Sequence, residues 1–193
     1  MPFINYQERE ITFKLVYYGP GMSGKTTNLM YIHKMLDTER KGEMIILDTE
    51  EDRTLFFDFF PMELGEIAGY NVRFNMYTVP GQVYYEASRK LILDGADGVI
   101  FVADSDPLRF EANLELYRMM EQNMLSYEMD PQTFPVVLQY NKRDIEDPIP
   151  LGAMEEQLGL NGIPVFESVA VRGEGVMDTI RKASQMVIER FQL

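Results

Sequence analysis

The chain of 193 residues contains no cysteine, which removes disulfides and thiolate zinc centres from consideration. It has no apolar run near the ~20 residues needed to cross a bilayer. Basic residues are scarce: 18 Lys and Arg stand against 31 Asp and Glu, a formal net charge of −13. Binding to nucleic acid or to an anionic membrane surface needs clustered Lys and Arg, so neither is expected. There is no Pro- or Gly-rich linker, low-complexity tract or fixed-period repeat. Residues 1–193 are therefore expected to form one domain around one core. The opening Met1-Pro2-Phe3 is no basic-then-apolar signal peptide. Pro2 stands where myristoylation needs glycine, and Phe191-Gln192-Leu193 offers no cysteine for prenylation. The expectation is a cytoplasmic protein with no membrane anchor of its own, reaching a membrane only through partners.

What is present is a core-forming composition, 46% hydrophobic, arranged in alternating patterns. Ile11–Tyr18 is β-branched and aromatic and ends at a glycine, which predicts a strand; Gly24–Leu36 predicts a helix. Leu55–Met62 and Tyr70–Val79 predict two extended segments, with a hairpin turn over Gly65–Gly69. Gly98–Asp104 and Pro135–Tyr140 are apolar on both faces, as buried parallel strands are, and Ile163–Glu167 is a shorter candidate. Val176, Ile180, Ala183, Val187 and Phe191 share one face of a closing helix. Strands alternating with helices predict an α/β fold with a mostly parallel sheet covered on both sides.

Gly19-Pro20-Gly21-Met22-Ser23-Gly24-Lys25-Thr26 fits G-x-x-x-x-G-K-[ST] between a predicted strand and a predicted helix, the setting that a phosphate loop requires. Polyphosphate must be wrapped by backbone N–H groups, glycine lets the backbone come close, and a helix N-terminus adds a positive dipole end. In that arrangement Lys25 bridges the β- and γ-phosphates, the Thr26 hydroxyl goes to Mg²⁺, and Thr27 lies near the α-phosphate. Asn141-Lys142-Arg143-Asp144 follows a later strand and fits N-K-x-D. The Asp144 carboxylate would accept from N1–H and N2–H₂ of guanine, whereas adenine would leave a buried acceptor unpaired. Lys142 would lay its stem over the base, and Asn141 would tie this loop to the phosphate loop. Ser168-Val169-Ala170 ends the next strand, where the Ala170 N–H would meet guanine O6.

Val79-Pro80-Gly81-Gln82 follows the second hairpin segment, placing the Gly81 N–H for the γ-phosphate and Gln82 for an attacking water. Asp52-Arg53-Thr54 precedes the first segment, and Thr54 would complete the Mg²⁺ shell. Phosphoryl transfer chiefly needs positioning and charge neutralisation, which one glutamine, one arginine and one metal supply.

These motifs, in this order, resemble the Ras-like small GTPases. Tyr17–Gly21, Arg53–Phe59, Thr78–Gln82 and Ser88–Leu93 are similar to the bacterial MglA gliding and polarity GTPases. The resemblance implies a three-layer P-loop G domain with one antiparallel edge hairpin, and slow GTP hydrolysis with Mg²⁺. It further implies Arg53 as an arginine finger supplied in cis, Gln82 as the water-positioning residue and Thr54 as a switch contact. The implied partners are a dimeric Roadblock-fold (MglB-like) activator and effectors at a cell pole. Two positions depart from the wider Ras pattern. Thr78 replaces the aspartate that holds a Mg²⁺-bound water, which predicts weaker Mg²⁺ binding, and Val169 replaces a serine. Thr78 keeps a rival open, a GTP-loaded scaffold that does not hydrolyse; an ATP-using P-loop enzyme is opposed by Asp144.

Leu55, Phe57 and Phe59 alternate with Phe56, Asp58 and Phe60, so both faces of that strand are mostly aromatic and its register is weakly specified. A register shift between nucleotide states is therefore expected. The single histidine, His33, and the 14 methionines are expected to be packing or surface residues.

Overall fold

The computed structural model describes residues 2–46, 58–81 and 85–191. In chain order the elements are β1 (Phe3–Asn5), β2 (Glu10–Tyr18), α1 (Lys25–Met35), β3 (Ile45–Ile46), β4 (Asp58–Ile67), β5 (Tyr70–Thr78), α2 (Glu86–Leu93), β6 (Gly98–Asp104), α3 (Phe110–Leu125), β7 (Val136–Asn141), α4 (Ala153–Leu158), β8 (Val165–Glu167) and α5 (Val176–Phe191). One sheet runs in the order β3-β4-β5-β2-β6-β7-β8. β2 pairs parallel with β5 and β6, and β7 pairs parallel with β6 and β8. β4 pairs antiparallel with β5, as expected of the hairpin. Two strands that the sequence patterns did not announce add further antiparallel pairs. β3 extends the edge beyond β4, and β1 lies along Glu10–Thr12 of β2.

Alternation along β2 distributes its side chains between two cores. Val16 and Tyr18 join Val99, Phe101, Leu138 and Tyr140 on the face that carries Leu93, Tyr117 and Met154. Phe13, Leu15 and Tyr17 join Ile100, Val102 and Val137 under Leu29 and Ile32 of α1 and the α5 stripe Val176, Ile180, Ala183 and Val187. Every residue of β6 and β7 is buried, because helices cover both faces. Phe191 closes the α5 stripe with its ring edge-on to Phe13, centroids 5.6 Å apart.

The hairpin differs from expectation in two respects. β4 continues to Ile67, with a bulge between Glu63 and Gly65, so the turn contracts to Ala68-Gly69. Both turn residues have positive φ, 52° and 83°, the conformation whose twist suits a two-residue hairpin loop. The two faces of β4 are also not equivalent. Asp58, Phe60 and Met62 are buried while Phe59 and Pro61 are half-buried, so a polar residue belongs to the inner set. The expected strand residues Leu55–Phe57 lie outside the described residues.

β2 sits where the sheet changes direction, with β5 on one side and β6 on the other. A crevice opens at the carboxyl end of such a strand, and the glycine loop leaves β2 there.

Candidate functional site

The loop from Gly19 to Gly24 carries the chain from β2 into α1. Gly24 has φ 101°, and a Cβ on it would lie 2.2 Å from Asn141 Nδ2, so only glycine allows that approach. Met22 has φ 65° and is exposed, while Ser23 is buried and its hydroxyl has no hydrogen-bond partner. The ammonium of Lys25 is buried and donates to the carbonyls of Gly19 (3.0 Å) and Pro20 (2.7 Å). Burial pulls its pKa down to about 7; the Asp58 carboxylate opposes that fall and the Arg89 charge adds to it. Thr27 stays half-buried in the first turn of α1.

Asn141 joins three segments. Its Nδ2 donates to the Ser23 carbonyl at 2.7 Å. Its Oδ1 accepts from the Ser168 hydroxyl at 3.0 Å and from the Ala170 N–H at 2.9 Å. The expected tie between the N-K-x-D segment and the phosphate loop is therefore present. The Ala170 N–H is already paired, so guanine O6 can take it only as a shared bond. Val169 is buried and pairs with Glu174. Lys142, at φ 65°, bonds Asp104 Oδ2 at 2.7 Å. Asp144 contributes nothing to this knot; its carboxylate lies 3.8 Å from Arg172 Nη2 across a half-exposed loop.

At the other side of the loop the Gly21 N–H donates to the Gly81 carbonyl at 3.0 Å. A Cβ on Gly81 would stand 2.1 Å from the Gly21 nitrogen, so the two glycines pack backbone to backbone. Arg53, Thr54 and Gln82 lie outside the described residues.

The aspartate missing at position 78 has a counterpart. The Thr26 hydroxyl donates to Asp58 Oδ2 at 2.5 Å, and the Thr78 hydroxyl donates to the same oxygen at 3.0 Å. Thr78 Oγ1 also accepts from the Asp58 N–H at 2.8 Å. A buried carboxylate thus reaches the loop threonine from β4 rather than from the end of β5. A hydroxyl whose proton goes to a carboxylate turns its lone pairs outward, and hydroxyl plus carboxylate oxygens are the ligands a hard cation such as Mg²⁺ takes. The residues present fit that ion.

Sequence reasoning missed Asp58, Asp104, Arg89 and Arg109 as parts of this site. Asp58 carried a signal, as the one acid in an aromatic run that pairs across from Thr78. Arg109 donates to the Gly21 carbonyl at 3.0 Å from the short 3₁₀ turn Pro107–Arg109, and nothing local marks it.

Comparison with known proteins agrees with this geometry. The model of the ADP-ribosylation factor family matches residues 3–187. The chain is 52% identical over 192 residues to the mutual gliding-motility protein MglA of Myxococcus xanthus (strain DK1622), covering 100% of this chain and 98% of that one. The chain therefore belongs to the ADP-ribosylation factor family of small GTPases, GTP-binding switches on a three-layer α/β fold.

Proposed function

We propose that this chain is a single G domain that binds GTP in the Gly19–Thr26 loop, hydrolyses it slowly with Mg²⁺, and is accelerated by a dimeric Roadblock-fold activator. The observation that carries the reading is the Asn141 knot. One side chain holds the phosphate loop at Ser23 and the distal loop at Ala170, so phosphate grip and base selection become one rigid site.

In this reading the backbone N–H groups of Gly21, Met22, Ser23 and Gly24 wrap the phosphates, and Thr27 meets the α-phosphate. Lys25 leaves the Gly19 and Pro20 carbonyls for the β- and γ-phosphate oxygens. Asp144 exchanges its loose Arg172 contact for guanine N1–H and N2–H₂, while Ala170 shares its N–H with O6 and Lys142 lies over the base. Thr26 and Thr54 would hold Mg²⁺, with the Asp58 carboxylate available beside the Thr26 hydroxyl. Mg²⁺ supplies charge neutralisation on the β- and γ-phosphates. Gln82 aligns a water for attack on the γ-phosphorus, and the bond to the β–γ bridging oxygen breaks. Arg53 and the Gly81 N–H stabilise the charge that develops. GDP and phosphate leave. The similarity to a gliding-motility protein supports a role in motility or polarity, with effectors and a cell-pole position reached through partners.

Two measurements test this. Competition titration in Mg²⁺ should show guanosine nucleotides displacing a fluorescent GDP analogue far better than adenosine nucleotides; equal displacement overturns the base assignment. Phosphate release should rise when a Roadblock-type dimer is added. A protein that holds GTP intact under those conditions is the scaffold, and the hydrolysis reading is then withdrawn.

A further inference from the structure

Arg89, in the first half of α2, has none of its surface exposed. Burying a guanidinium is costly unless hydrogen bonds and nearby polar groups replace its water. Its Nη1 donates to the carbonyl of Pro80 at 3.3 Å, and its Nη2 rests 3.9 Å from the Met119 sulfur. It also bonds the Tyr18 hydroxyl, which Asn123 of α3 approaches at 3.5 Å. Two of these anchors abut the nucleotide machinery, since Tyr18 directly precedes Gly19 and Pro80 directly precedes Gly81.

The Pro80 carbonyl and the Gly81 N–H belong to one peptide unit. No described peptide bond is cis. In a planar trans peptide the C=O and the following N–H point in opposite directions. A guanidinium that holds the Pro80 oxygen on the α2 side therefore turns the Gly81 N–H away from α2. Gly81 meets the phosphate loop: its own carbonyl accepts from Gly21 N at 3.0 Å, and no Cβ fits between them. Arg89 also lies close enough for its charge to oppose protonation of Lys25, which places it electrostatically at the same end of the loop.

We propose that Arg89 is a positioning residue that fixes the plane of the Pro80–Gly81 peptide so that the Gly81 N–H is aimed at the γ-phosphate, and that it thereby determines how well the protein distinguishes triphosphate from diphosphate. The inference rests on the nucleotide reading above and adds a residue that would touch no ligand. A guanidinium is suited to the task because its fixed fork holds the carbonyl in one orientation, which a single flexible ammonium does not.

The test compares affinities for GDP and for a non-hydrolysable GTP analogue in the full chain with Mg²⁺. In Arg89→Met the triphosphate affinity should fall about tenfold or more while GDP affinity stays within about twofold. Arg89→Lys should fall between that variant and the parent. Equal loss for both nucleotides, or an unchanged ratio, overturns the proposal. If either variant fails to fold, the parent alone decides through amide exchange at Gly81. Exchange that slows when the GTP analogue replaces GDP supports the assignment, and unchanged exchange overturns it. A parent that binds neither nucleotide would instead refute the underlying reading.

Discussion

The Thr26 hydroxyl and Asp58 Oδ2 lie 2.5 Å apart although the two residues are 32 positions apart in the chain. That contact brings a carboxylate to the loop threonine from β4, with β5 lying between β4 and the strand that feeds the loop. Asp58→Asn keeps the shape and removes the charge. We expect the Mg²⁺ concentration for half-maximal nucleotide retention to rise about tenfold, read from the release of a fluorescent GDP analogue across a Mg²⁺ titration. An unshifted midpoint would show that the carboxylate does not serve the ion. Thr78→Asp alone would set two carboxylates side by side and should destabilise the fold. Combined with Asp58→Asn, it should recover part of the Mg²⁺ affinity.

If Lys25 meets the phosphates as proposed, nucleotide binding should be sensitive to pH. Its pKa is about 7 in the fold against an ordinary 10.5. Between those values the unfolded chain holds a proton that the folded one lacks, so this group's contribution to stability improves as pH rises from 7 to 10.5 and is least favourable below 7. Polyphosphate placed against the ammonium would restore the proton. Binding should therefore take up protons at pH 8, and affinity should decline between pH 7 and 9. Calorimetry in buffers of different ionisation heat measures the uptake; none in the parent, or the same uptake in Lys25→Met, would refute the assignment. Lys25→Ala should also weaken nucleotide binding itself.

Asn141→Ala removes three hydrogen bonds and leaves the Ser23 carbonyl, the Ser168 hydroxyl and the Ala170 N–H without that partner. The expected loss is roughly 3 kcal/mol, a melting temperature lower by about 6–12 °C in a chain of this size. Guanine selectivity should weaken with it. A variant that melts within a degree of the parent would mean that water replaces the side chain at no cost.

Gln82→Leu and Arg53→Ala should leave GTP affinity within about twofold and slow single-turnover hydrolysis with activator at least about a hundredfold. A variant that turns over at the parental rate has been given the wrong role.

The hairpin shows where reading the sequence stopped. Alternation along Phe56–Phe60 separates two sets of side chains, but it does not say which set faces inward. Pairing with β5 places Asp58 beside Thr78 and makes that the buried side. A one-residue slip would carry Asp58 to the outer face and separate it from Thr26, so this polar residue specifies register more strongly than the aromatic run suggested. β1 had only three residues with which to signal.

By itself the sequence determined the phosphate loop, the N-K-x-D segment and the alternation of strands and helices. Their physics is local: a cradle of backbone N–H groups needs consecutive residues, and a strand covered on both faces needs a continuous apolar run. The tertiary structure alone decided that Asp58 faces Thr26, that Asn141 closes on both Ser23 and Ala170, and that Arg89 and Arg109 reach the carbonyls of Pro80 and Gly21. Those contacts join residues from different elements, and their distances follow from strand register and helix packing, which no short stretch of sequence carries.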